Sequence, residues 1–148
     1  MITYYEMIDF IEKMKTAPRN DQNINYLKNA KVDMHGNVMY RFIDHIMDLI
    51  QTRLNNSLDN FIDKLKKISG NEDMFSLEVI EVKKEVNYAV LIANNVNIPD
   101  ENKKRLKETI KNYADDVEQV LENSAQRTDN TGKLVSIIKN HGINKLEV

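Results

Sequence analysis

The 148-residue sequence contains no cysteine and no tryptophan. Without cysteine there is no disulfide scaffold, no thiolate ligand for zinc or an iron–sulfur cluster, and no thiol nucleophile. Such a chain suits a reducing compartment, and a cytoplasmic location is the expectation. Four glycines and two prolines are too few to punctuate a turn-rich all-β fold. There is no glycine-rich phosphate loop and no Gly-x-Ser-x-Gly elbow, and the three histidines fall near helix ends or on a polar face. No apolar run approaches the ~18 residues of a membrane span. The opening stretch, Met1 to Glu6, carries an acid where a secretory signal would carry positive charge. The net charge is −2, so no global field draws the protein onto nucleic acid or an anionic membrane.

What is present is an ordinary globular balance, 41% hydrophobic and 30% charged, unlike that of a disordered chain. A chain of this length buries about 68–70% of its unfolded surface, so it needs neither metal nor disulfide to hold a core. Nineteen asparagines stand beside many Ile and Lys residues. Their codons are AT-rich, which points to an AT-rich genome such as that of a low-GC bacterium or its phages. No internal repeat, low-complexity tract or linker interrupts the chain, and residues 1–148 are expected to form a single helical-bundle domain.

Apolar residues recur at three- and four-residue spacing along most of the chain. Thr3 with Glu6 makes a capping box. Tyr4, Met7, Ile8, Ile11 and Met14 predict a helix from Thr3 to Lys15, ended before Pro18. A short helix is expected over 23–32, on Ile24, Leu27 and Val32, with Gly36 ending it and Asn37 capping the next. The first long helix, about 37–68, carries Ile43, Ile46, Ile50, Leu54, Leu58, Phe61, Leu65 and Ile68. The second, about 72–97, follows a Ser69–Glu72 capping box and carries Phe75, Val79, Val82, Val86, Ala89, Ala93 and Val96. The third, about 99–125, starts at Pro99, Asp100 and Glu101 and carries Leu106, Ile110, Tyr113, Val117 and Val120. A last helix over 131–140 stops at a left-handed Gly142, with Ile143 folding back. Short connections force antiparallel neighbours. The expected fold class is therefore all-α, an antiparallel bundle of three long helices with shorter helices at the N- and C-termini.

Three constellations carry chemistry. Arg41, Asp44, His45 and Asp48 share one turn of helix, but at 100° per residue they point away from the apolar seam and read as a solvated face. Glu78, Glu81 and Glu85 form an acidic edge. Such an edge occurs in all-α magnesium-dependent nucleotide hydrolases, yet its only possible complement, Asp115, Asp116 and Glu118, points mostly outward. The Glu-x-x-His pairs of a di-iron bundle are missing. No metal site and no cofactor is expected. Third, Lys103, Lys104, Lys107 and Lys111 gather at the start of the third long helix, where the helix dipole disfavours cations. Glu118 and Glu122 lie at its other end, with Lys64, Lys66 and Lys67 expected to compensate them. No acidic cluster is in view to meet Lys104 and Lys107, so the stripe is the candidate partner-binding site.

The apolar belt Tyr88-Ala89-Val90-Leu91-Ile92-Ala93 surrounds its helix and must be covered on every side, by the first and last helices or by a second copy in a homo-oligomer. The expected function is a non-enzymatic helical binding module acting on a protein partner, such as a small accessory or inhibitor protein of a low-GC bacterium or phage. The alternatives are a magnesium-dependent nucleotide hydrolase using the acidic edge, and a nucleic-acid binder through the basic stripe. The second lacks aromatic rings beside the lysines and a basic pI.

Overall fold

A computed structural model describes residues 1–68, 71–128 and 130–146. Among them the chain forms six helices: α1 (Tyr4–Met14), α2 (Asp21–Asn29), α3 (Asn37–Ile68), α4 (Glu72–Asn95), α5 (Asp100–Ala125) and α6 (Thr131–His141). Helices α3, α4 and α5 pack together as the expected three-helix bundle, and α4 is its centre. Lys64 meets Glu78 near the α3–α4 turn and Arg53 meets Glu85 further from it, the order that an antiparallel pair requires. Helix α1 lies on α3, α2 on α4, and α6 in the angle between α4 and α5. No helix is long and apolar enough to cross a membrane, among the described residues.

The helix starts follow local chemistry. Thr3 Oγ1 accepts from the Glu6 amide at 3.1 Å and begins α1. Asn20 accepts from the Asn23 amide, so α2 starts and ends earlier than the apolar spacing suggests. Asn71, rather than Ser69, caps α4 through the Met74 amide; Ser69 lies outside the described residues. Asn37 is the first residue of α3 and not its cap, and the preceding Gly36 has φ +55. Gly142 is left-handed at φ +60, and Ile143 behind it is fully buried.

The helix ends are closed from afar. Arg53 donates to the Met14 carbonyl at the end of α1. Asn97 donates to the carbonyls of Lys28 at 2.9 Å and Ala30 at 2.7 Å at the end of α2. Lys103 donates to Asn94 at 3.1 Å at the end of α4, and Lys83 to Gly142 at 2.7 Å just beyond α6. A helix leaves its last carbonyls without intrahelical donors and its C-terminus partly negative, so amide and cationic side chains satisfy both needs at once.

All seven seam positions expected on α4 are buried. The belt at 88–93 is covered within the chain, by α2 rather than α1 on one side and by α3, α5 and α6 on the others. Only Leu91 of the belt remains exposed among the described residues. On α5 the seam is rotated from expectation. Ala114, Leu121 and Ala125 enter the core with Leu106, Ile110 and Val117, whereas Tyr113 and Val120 are half-buried. Two alanines on the inner face let α5 sit close against α4 and α6.

Candidate functional site

A polar concavity lies where the α1–α2 connection crosses α3 and α4, a cleft of about 460 Å³. Its floor is a buried ion pair that the sequence does not advertise. Among the described residues, Arg53 (8% exposed) and Glu85 (5% exposed) are the two charged residues buried with the core. Arg53 Nε is 2.6 Å from Glu85 Oε1, and Nη2 is 3.4 Å from Oε2. Arg53 Nη1 donates to the carbonyls of Met14 and Ala17, and the guanidinium lies 4.8 Å from the Tyr88 ring centroid. Four of the five donors of a guanidinium are thereby used. Arg19 closes the network from the loop, with Nη1 2.9 Å from Glu85 and Nη2 2.8 Å from Glu81. Burial works against the charge of Arg19, but its hydrogen bonds to Glu81 and Glu85 outweigh that and raise its pKa. The same bond from Arg19 holds the Glu81 carboxyl below the usual range.

Each glutamate of the expected acidic edge therefore faces a cation. Glu78 has Lys64 at 3.5 Å, Glu81 has Arg19 and Lys84, and Glu85 has both arginines. Asp115 is 3.2 Å from Lys111 and accepts from Asn144 at 2.9 Å, which lowers its pKa through Asn144 first and Lys111 second. Among the described residues no three His, Asp or Glu side chains converge as metal ligands would. The edge is a set of ion pairs tying α4 to α3 and to the α1–α2 loop.

Glu118 is the exception. Its Oε2 is buried without a hydrogen-bond partner, and its pKa is raised by burial, then by Glu122 and Asp115. The cations that act on it are Lys139 of α6 and Lys111, not the expected Lys64, Lys66 or Lys67; Lys64 is held by Glu78.

The other candidates separate. Arg41, Asp44 and Asp48 are exposed and His45 half-exposed, and Asp48 accepts from Lys15 of α1 at 2.5 Å. Hydrogen bonds from Lys15 to Asp48 and then to Glu12 raise its pKa. The ring of Tyr4 packs edge-on against His45 at 6.4 Å. His141 Nε2 is 2.9 Å from Ser76 Oγ, a Ser–His contact with no carboxylate on the other ring nitrogen among the described residues. Of the basic stripe, Lys103 is engaged by the end of α4, and Lys111 by Asp115 and by the Asn144 carbonyl at 2.7 Å. Lys104 and Lys107 make no ion pair or hydrogen bond among the described residues.

A feature missed from sequence is the aromatic surface of the N-terminal third. Tyr5 is 80% and Tyr40 65% exposed. Tyr4 and Tyr5 meet edge-on at 5.8 Å, and Phe10 and Tyr26 lie 4.1 Å apart. Four of the six tyrosines fall within the first 40 residues, which was the available signal. No protein-family model matches the chain, and neither does any curated protein or solved structure.

Proposed function

We propose that the protein is a non-enzymatic helical binding module whose partner is a protein. The observation that carries this reading is the exposure of aromatic rings on α1, α2 and the first turn of α3, in a chain with only 7% aromatic residues. Aromatic side chains are enriched at protein interfaces, where they give large contact area at low entropic cost. The charged groups with catalytic promise, by contrast, are taken up in ion pairs that hold the helices. Lys104 and Lys107, which nothing among the described residues engages, supply the electrostatic part of the contact and favour an acidic partner surface.

Proximity labelling in the cells that make the protein tests this, comparing the wild type with Tyr5→Ala/Tyr40→Ala and Lys104→Glu/Lys107→Glu. One protein should be enriched by the wild type and lost with either pair, while circular dichroism stays unchanged. A partner retained by both variants overturns the assignment. So does magnesium-dependent nucleotide hydrolysis that disappears in Glu81→Gln.

A further inference from the structure

A second concavity lies along α2, an open apolar groove of about 640 Å³ whose lining contains no carboxylate. Met1, Ile2, Tyr26 and Ala30 form its apolar part, and Lys31 stands at one end. Tyr26 is 37% exposed, and its ring is held in place by Phe10 beneath it. Residues 1–3 run beside residues 31–33 as a short parallel bridge, Ile2 donating to the Lys31 carbonyl at 3.1 Å, and this fixes the far wall.

Along the groove run three side-chain amides, Gln22, Asn25 and Asn29. Their spacing of three and then four residues puts them on one face of α2, about 4.5 and 6 Å apart along the axis. None makes a hydrogen bond within the chain, among the described residues. Each amide offers an NH2 donor group and a carbonyl acceptor, which complement the one donor and one acceptor of a peptide unit. An extended chain repeats its backbone groups on one side about every 6.6 Å, near the longer step of this row and within reach of flexible side chains at the shorter one.

We infer that the groove binds an extended peptide segment, its backbone bonded to the three amides. One apolar side chain of that segment rests on Tyr26 and Ile2, and an acidic side chain pairs with Lys31. The inference rests on the binding-module reading and names a surface and a partner chemistry for it. Charge complementarity sets the acidic character, because Lys31 is the one charged side chain lining the groove. A single cation is too little to track a phosphate backbone, which binds through several. Main-chain bonds supply affinity in this mode, and the apolar contact with the ion pair supplies specificity.

The test uses a randomised heptapeptide library displayed on phage and selected on the full chain. Enriched peptides should carry an Asp or Glu within a few residues of a large apolar side chain. A synthetic copy of the best peptide should shift the amide NMR signals of α2 and residues 1–3. Its affinity should fall at least tenfold when the peptide's backbone nitrogens are methylated, and again when the protein carries Gln22→Ala/Asn25→Ala/Asn29→Ala or Lys31→Glu. These four positions are exposed on α2 or just beyond it, so the variants should keep the wild-type circular dichroism. No enrichment, or enriched peptides without an acid, overturns the inference. Binding unaffected by the groove variants but lost with Lys104→Glu/Lys107→Glu also overturns it, while leaving the binding-module reading standing.

Discussion

Removing one member of the Arg53–Glu85 pair has a different consequence from removing both. Glu85→Ala leaves a guanidinium buried between α1, α3 and α4 with only carbonyls and the Tyr88 ring to face it, and leaves Arg19 with Glu81 alone. Breaking such a pair costs about 3–5 kcal/mol, whereas replacing both members with apolar residues of similar volume is often neutral or stabilising. Urea unfolding should therefore show Glu85→Ala as severely destabilised and Arg53→Met/Glu85→Leu as near wild type. If the single and double variants lose the same stability, the pair is not the source of the effect. Glu85 stands in the acidic edge that the sequence shows, but Arg53 does not stand out there, for a physical reason. Arg53 falls beside Leu54 and at the spacing of Phe42, Ile46 and Leu49, so it belongs to a second inward stripe of α3 that faces α1. A stripe drawn through apolar residues alone stops where the buried position is charged. Opposite charges at similar distances from the α3–α4 turn, both inside apolar stripes, were the signal.

At the scale of the helix, the boundaries fall within three residues of those expected from spacing, but of the three side-chain caps only Thr3 was legible. Starts are closed by residues within a turn, as at Thr3, Asn20 and Asn71, and such caps leave a local pattern. Ends are closed by Arg53, Asn97, Lys103 and Lys83, all from other elements, and sequence spacing carries no trace of them. This resolves the placement of Lys103. It opposes the dipole of α5, where it stands, and favours that of α4, whose last carbonyls it meets. Lys103→Glu should lower the melting temperature although it puts an acid at a helix start, and Lys104→Glu should leave it unchanged. Asn97→Ala should cost about 1 kcal/mol for the lost bonds and should lower hydrogen-exchange protection in α2 more than in α3 or α5. Uniform loss of protection would show that α2 does not open on its own. The rotated seam of α5 has a similar origin. Tyr113 and Val120 continue the three- and four-residue spacing of Leu106, Ile110 and Val117 in a one-helix reading, but α5 must meet both α4 and α6, and small residues at that meeting let all three approach. Ala114→Leu should overpack the contact by about 1–3 kcal/mol, and Tyr113→Ala should cost less. The reverse order in thermal unfolding would restore the seam expected from spacing alone.

For the molecule as a whole, the ion pairs make stability depend on pH with signs that can be worked out. Glu81 and Asp115 have lowered carboxyl pKa values. Their contribution is present above the ordinary values of 4.5 and 3.8 and is lost as pH falls through the lowered ones. Lys15 has a raised pKa, so its contribution is complete below 10.5 and is lost as pH rises beyond that value. Glu118 runs the other way. The folded state holds its proton more tightly than the unfolded state, so stability falls as pH rises from 4.5 through its raised value. Once ionised, this half-buried carboxylate works against the fold, on the face where α5 meets Lys139 of α6. Glu118→Gln keeps the shape, removes the charge and relieves the repulsion from Glu122 and Asp115. Its melting temperature should exceed that of the wild type at pH 7, and the difference should vanish below about pH 4, where the glutamate is protonated in both states. A difference that persists unchanged into acid would place the gain in packing or hydrogen bonding rather than in charge. A variant less stable than the wild type at pH 7 would mean that Lys139 and Lys111 bind the carboxylate more strongly than burial and its acidic neighbours oppose it.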